Sequence, residues 1–322
     1  MQEFGIIRTG AQHLVARDQI PNAILQLGSQ GQFAWEEFFA GQIRNKHTRS
    51  AYLHAVKRFL KWLEPLEPEL ARITPGMVGN YFDQLRLSIP SKKLHMSAIR
   101  GFFDVLVLRH ICMLNPALSV RTERYSVTEG KTPEITTLQA RQLLESIDSS
   151  TASGLRDKAI VSTLVFTAVR AGAVANLRTQ DLIDEGNQYS LRFREKGGKH
   201  RSIPVRHDLQ STLLEYLHRL GVEQPKDSPL FRSMTRKGGY SSLGLSGVDI
   251  CRLVKRRLRL AGLPKQISPH SFRSLAATDL LLNGAALEDV QYLLGHTDSR
   301  VTMLYDRRQR RVTRNIVERI SV

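Results

Sequence analysis

A polar run at residues 122–133 (TERYSVTEGKTP) carries no apolar stripe and separates two stretches with different hydrophobic patterns. Before it, apolar residues recur only at helical spacing. In residues 48–63, Tyr52, Val56, Phe59, Leu60 and Leu63 share one side, with Lys57, Arg58 and Lys61 on another. Thr74-Pro75 has the form of a cap followed by a first-turn proline, and Met77, Tyr81, Phe82 and Leu85 then make a stripe. A further helix over residues 91–108 turns Ile99, Phe102, Phe103 and Leu106 inward, with Asn115-Pro116 as its stop. The pattern predicts an all-α bundle over residues 34–121, preceded by an arm, residues 1–33, with room for one short helix. Beyond the polar run, helices are expected at residues 137–147 and 157–168. Two alternating runs follow, at residues 189–194 (YSLRFR) and 200–205 (HRSIPV), joined by Glu195-Lys196-Gly197-Gly198-Lys199, whose glycines suit a tight hairpin. The remainder reads as helical. The expected class is mainly α with a small antiparallel β-sheet, an α+β domain over residues 135–322 behind a linker at 122–134.

A formal net charge of +17 points to a polyanionic partner. The most apolar run, residues 159–169, is too short to cross a bilayer, and the amino end lacks the basic-then-apolar order of a secretion signal. The two cysteines, Cys112 and Cys251, offer neither a disulfide framework nor metal-ligand spacing. The composition therefore predicts a cytoplasmic protein without a metal. Between Asp249 and Asp279 no acidic residue interrupts Arg252, Lys255, Arg256, Arg257, Arg259, Lys265 and Arg273. A helix with Leu253, Leu258 and Leu260 inward would turn these cations toward a phosphate backbone. A merely solvated basic face is the competing reading, and it lacks the acidic partners at i+4 that would favour it.

Several residues of the second stretch handle phosphodiesters. Two guanidiniums, Arg170 and Arg273, suit the non-bridging oxygens and the charge that builds at phosphorus. His270 lies three residues before Arg273, on the same face of a helix that Ser268-Pro269 would open. His296 follows Leu294-Gly295, and Tyr305 comes nine residues after His296. A phenol, with an ordinary pKa of about 10, is a poor nucleophile near neutrality unless cations or a proton acceptor help it. Lys196, on the hairpin turn, can reach a leaving 5′ oxygen; Lys199 competes for that role. The KGGK string is no nucleotide-phosphate loop, since it lacks the G-x-x-x-x-G-K-[ST] order. Any one of these residues alone is more often a surface cation or a packing group.

Together, Thr167-Ala-Val-Arg170, Lys196, Pro269-His270-Ser-Phe-Arg273, Leu294-Gly295-His296 and Tyr305 resemble the tyrosine recombinase, or phage integrase, family. The resemblance is close from about residue 135 onward and looser over 34–121, which resembles that family's SAM-like core-binding domain. It implies a C-shaped clamp on double-stranded DNA carrying a specific recombination site. It also implies strand cutting and rejoining through a 3′-phosphotyrosine, without ATP, metal or other cofactor, for integration, excision or resolution of a mobile element or replicon. Carried over by residue, Tyr305 is the nucleophile, Arg170 and Arg273 grip the phosphate, and His270 manages the tyrosine proton. His296 donates to the phosphate and Lys196 is the general acid. The resemblance further implies a homotetramer on DNA, formed by exchange of a C-terminal tail from about residue 307, with Ile316, Val317 and Ile320 as its apolar contacts. Accessory proteins and a place on the nucleoid of a bacterial-type cell accompany it. Lys57, Arg58, Lys61, Lys92, Lys93, Lys199, Arg252, Lys255 and Arg256 are the expected DNA-binding cations. One position departs from the pattern: the family's usual acid three residues after the first arginine is Ala173.

Three readings remain open at this level. The chemistry also serves a type IB topoisomerase or a hairpin-forming resolvase. A non-catalytic DNA-binding accessory protein would keep the fold without the reaction. An RNA-binding protein is disfavoured by the lack of an aromatic stacking motif.

Overall fold

The computed structural model describes residues 20–66, 69–125, 132–194, 200–221 and 224–305. Lys196, Lys199 and the tail with Ile316, Val317 and Ile320 lie outside the described residues. The chain divides into two compact units, Met1–Ser126 and Val127–Val322.

The first unit is helical: α1 (Asn22–Leu25), α2 (Gly28–Glu36), a π turn at Glu37–Gln42, α3 (Lys46–Leu63), α4 (Pro75–Gln84) and α5 (Ile89–Leu108). Asn45 caps α3 by accepting from the backbone N–H groups of His47 and Thr48, and Thr74 caps α4 through Met77 N–H. The core is aromatic. Trp35, Phe38, Phe39, Phe59, Phe102 and Phe103 are all buried, and the Trp35 ring meets Phe39 and Phe102 at centroid distances of 4.5 and 5.6 Å. Two expectations fail here. The described part of the expected arm belongs to the fold, because it holds α1 and the start of α2, and Ile20 and Ile24 are buried in the core. Helix α5 ends at Leu108, as expected, but Asn115-Pro116 lies beyond that end and is not its stop; His110 takes a left-handed backbone with φ 56° just after it. Asn115 instead pins the following loop: its Nδ2 donates to Arg100 O and Asp104 Oδ1, and its Oδ1 accepts from Ala117 N–H.

In the second unit, α6 (Thr137–Glu145) is opened by a Thr136–Gln139 capping box, and α7 (Ala152–Thr167) runs through the core. Then come α8 (Ala171–Ala175), β1 (Leu182–Asp184), β2 (Tyr189–Arg194), β3 (His200–Pro204), α9 (His207–Leu220), β4 (Arg232–Met234) and β5 (Tyr240–Gly244). The chain continues through α10 (Gly247–Leu260), α11 (Pro269–Leu282), α12 (Leu287–Leu294) and α13 (Ser299–Met303). Strands β1, β2 and β3 form an antiparallel sheet in that order, with Leu191 opposite Ile203 and Phe193 opposite Arg201. The alternation holds from Leu191 on, since Leu191 and Phe193 are buried while Arg192 and Arg194 face outward; Ser190, on the same side as the arginines, is buried as well.

The pattern missed β1 and the β4–β5 hairpin, whose short strands hold too few inward apolar residues to alternate visibly. Leu260 is also a correction. It is 64 % exposed, because the buried stripe of α10 runs through Ile250, Leu253, Val254 and Leu258, and Leu260 falls off it. No described helix is long and apolar enough to cross a membrane.

Candidate active site

Helix α7 stops at Ala168, which adopts a left-handed backbone with φ 52°. That turn releases Val169 inward and brings Arg170, exposed and extended, to the start of α8. A close backbone approach holds this segment. A Cβ added at Gly247, the first residue of α10, would lie 3.2 Å from Gly172 Cα. Pro269 and a Ser268 N–H bond to Ser271 Oγ, at 3.1 Å, open α11. One turn of that helix then carries both His270 and Arg273.

Arg273 is the buried centre of the arrangement, at 1 % exposure. Its Nη1 donates to Ala168 O at 2.6 Å and its Nη2 donates to Leu294 O. One side chain thus ties the end of α7 to the end of α12. Arg201 of β3, 6 % exposed, donates through Nη1 to Tyr292 O at 2.7 Å and also to Leu293 O. Three terminal carbonyls of α12 therefore face buried guanidiniums, where the helix dipole is negative. Sequence reasoning missed Arg201. Its one visible signal was a cation at an inward position of an alternating strand.

Gly295 ends α12 in the left-handed conformation, φ 60°, and His296 follows with its backbone held at both ends. Its N–H donates to Gln291 O at 3.1 Å, and its own carbonyl accepts from Gln291 Nε2 at 3.0 Å. The imidazole Nδ1 lies 2.9 Å from Thr302 Oγ1. Its ring is stacked on Tyr305, with centroids 6.2 Å apart and planes 15° from parallel. Tyr305, 8 % exposed, packs in a small cluster with Ala168, Ala277, Leu281, Val290 and Leu294. Residues bonded by Arg273 are thus the ones that seat the phenol.

Burial and the surrounding cations push His296 down to about 4; the cations are Arg273 and Arg170, with His270 and Arg201 adding to them. His270, open to solvent along part of its surface, is lowered in the same direction, first by partial desolvation and then by Arg273 and Arg170. Both imidazoles are neutral near pH 7 and keep one N–H donor and one acceptor each. Arg170, His270 and Arg273 share the wall of a 290 Å³ cavity with Cys251 and Ser268. The structure therefore brings together Arg170, His270, Arg273, His296 and Tyr305. Ala173 packs against the main core of the unit, and no carboxylate lines the cavity among the described residues.

The expected DNA-binding cations differ in their freedom. Arg58 and Lys61 are exposed on α3, while Lys57 and Lys93 are partly buried, with burial lowering Lys57. Lys92 is paired with Glu123 at 3.3 Å. On α10, Arg252 lies 3.6 Å from Asp249, and Lys255 donates to Lys265 O at 2.5 Å. Arg256, 49 % exposed, donates to Asp157 Oδ2 at 2.7 Å.

The phage integrase family model matches residues 134–311, and the model of that family's N-terminal SAM-like domain matches residues 35–110. The chain belongs to the phage integrase family. A tyrosine recombinase named XerD from Chlorobaculum tepidum is 30 % identical over 269 residues, covering 80 % of this chain and 85 % of that one. A XerC tyrosine recombinase of Leptospira interrogans is 27 % identical over 265 residues, covering 81 % and 83 %. This family member is accordingly a tyrosine recombinase, an enzyme of site-specific DNA recombination. Its fold is shared with solved structures. XerH recombinase in a pre-cleavage complex with its difH substrate aligns with TM-score 0.66 at 21 % identity, covering 95 % of this chain and 90 % of that one. A lambda integrase dimer bound to a core site aligns with TM-score 0.64 at 20 % identity, covering 86 % and 94 %.

Proposed function

We propose that Tyr305 is the nucleophile of strand cleavage. Its phenolic oxygen attacks a scissile DNA phosphate, forms a 3′-phosphotyrosine and releases a 5′ hydroxyl, and the reverse attack by a 5′ hydroxyl rejoins the strand. Arg170 and Arg273 stabilise the charge on the non-bridging oxygens. His296 donates its remaining N–H to the same phosphate, and His270, neutral and open to solvent, takes the phenolic proton. Lys196, or Lys199 in its place, protonates the leaving 5′ oxygen. The ester keeps the energy of the broken bond, so the cycle needs neither ATP nor a metal ion.

The stacking of His296 on Tyr305, beside the α12 terminus that Arg273 anchors, carries this reading. Both Tyr305 and Arg273 are nearly enclosed, at 8 % and 1 % exposure. In this reading the described arrangement is a closed one. DNA opens it, and a phosphate oxygen replaces a carbonyl as a partner of Arg273. The substrate is double-stranded DNA bearing a recombination site, bound by a homotetramer in the cytoplasm. Solved relatives that include a lambda integrase tetramer on a Holliday junction support that assembly.

Mapping cleavage on DNA flanking the gene supplies the substrate for the test. A nicked suicide duplex then traps the covalent adduct on a denaturing gel. Wild-type protein is expected to give the adduct, and Tyr305→Phe to bind the duplex without forming one. An adduct that survives Tyr305→Phe places the nucleophile elsewhere.

A further inference from the structure

A buried hydroxyl has one proton to give, and Thr302 shows where that proton goes. The residue is 0 % exposed, so water does not serve its side chain. Among the described residues, the hydroxyl has a single hydrogen-bonding neighbour, His296 Nδ1 at 2.9 Å. Two assignments of that contact exist. If Nδ1–H donated to Oγ1, the threonine proton would be buried without an acceptor, which folded proteins avoid. If the hydroxyl donates to Nδ1, both groups of the contact are satisfied. Nδ1 is then the acceptor of the ring. Because His296 is neutral at working pH, the single ring proton sits on Nε2.

We propose that Thr302 is a positioning residue that fixes His296 as the Nε2–H tautomer and aims that N–H at the scissile phosphate. The inference rests on the proposed role of this site in strand cleavage, and it adds a residue that acts through His296 without touching DNA. A neutral imidazole in the opposite tautomer would present a lone pair to the phosphate oxygens and repel them. Threonine prevents this by occupying Nδ1. The same residue also holds the nucleophile's backbone, since its carbonyl accepts from Tyr305 N–H at 2.9 Å. Donor and nucleophile are thus referenced to one residue, three positions before the tyrosine. The competing account is a threonine that simply fills space, and valine, which has nearly the same shape and no hydroxyl, separates the two.

The test uses the full chain with 15N-labelled histidine, with the His296 signals assigned by their loss in His296→Gln. Wild-type protein and Thr302→Ser are expected to show protonated Nε2 and a hydrogen-bonded, unprotonated Nδ1. Thr302→Val should lose the hydrogen-bonded Nδ1 signature. On the suicide duplex at saturating protein, Thr302→Val should form adduct roughly ten-fold more slowly or worse, the scale on which a lost orienting partner acts. Its DNA affinity should stay unchanged, and Thr302→Ser should restore the rate. Protonated Nδ1 in the wild type overturns the proposal, as does adduct formation by Thr302→Val at the wild-type rate. The wild-type spectrum decides the tautomer even if the valine variant fails to fold. Persistence of the adduct in Tyr305→Phe would instead sink the cleavage reading, and the spectrum would still report on the Thr302–His296 bond.

Discussion

At the scale of single residues, the site is built from groups whose charge is set by their surroundings. His296 is held down to about 4 from an ordinary 6.5 by burial and by Arg273 and Arg170. The sign of the stability effect follows from proton counts. Below pH 6.5 the unfolded chain takes up a proton on this ring, while the folded chain resists doing so until about pH 4. The contribution is complete above 6.5 and is lost as pH falls through that window. Urea midpoints are therefore expected to drop between about pH 7 and about pH 5, and to drop less in His296→Gln. A His296→Gln slope equal to the wild type's would assign the acid sensitivity elsewhere, for instance to His95 of the first unit, itself depressed to about 4. Among the residues that the structure brings together, His270 with Arg273 and His296 with Tyr305 stood out in the sequence by short spacing. Arg170, far upstream, stood out only as a member of the whole set. Arg201 and Thr302 did not stand out. Each acts by bonding a distant or buried partner, and nothing in a string of letters says which arginine turns inward.

Between elements, the joint of α7 and α10 depends on one fully buried carboxylate. Asp157 accepts from Arg156 Nε and Nη2 at 3.0 and 2.6 Å, from Arg256 Nη2 at 2.7 Å and from Arg257 Nε at 2.8 Å. Arg156 and Arg257 are themselves largely enclosed, with side-chain exposures of 6 % and 15 %. Removing the carboxylate would leave buried cations uncompensated, so Asp157→Ala is expected to lower stability by about 3–5 kcal/mol, read from denaturant midpoints. A loss of only a few tenths would mean the arginines find water. This network also revises the basic face of α10. The sequence showed no acid at i+4 and suggested free cations, but the counter-ion comes from ninety-nine residues upstream of Arg256. Helices with strong stripes, α3 and α5 among them, could be read directly, because packing aromatics recur at a fixed period. The β4–β5 hairpin could not, since three- and five-residue strands leave too short a pattern.

For the whole molecule, the +17 charge makes DNA affinity a matter of counter-ions. A protein that neutralises about six phosphates loses about three decades of affinity between about 50 and about 200 mM salt. Binding of this chain to its duplex is expected to fall with a comparably steep log–log slope, measured by fluorescence anisotropy. A flat response would remove the cations of α3 and α10 from the interface. The polar run at 122–133 was the most informative stretch for organisation, and the compact units part at Ser126 within it. All five described candidates for the chemistry, from Arg170 to Tyr305, belong to the unit after that point. The residues proposed for the chemistry and the exposed faces of the helical unit therefore lie on different compact units. If the proposed function holds, substitutions on those faces are expected to change which duplex is bound while leaving the residues around Tyr305 in place.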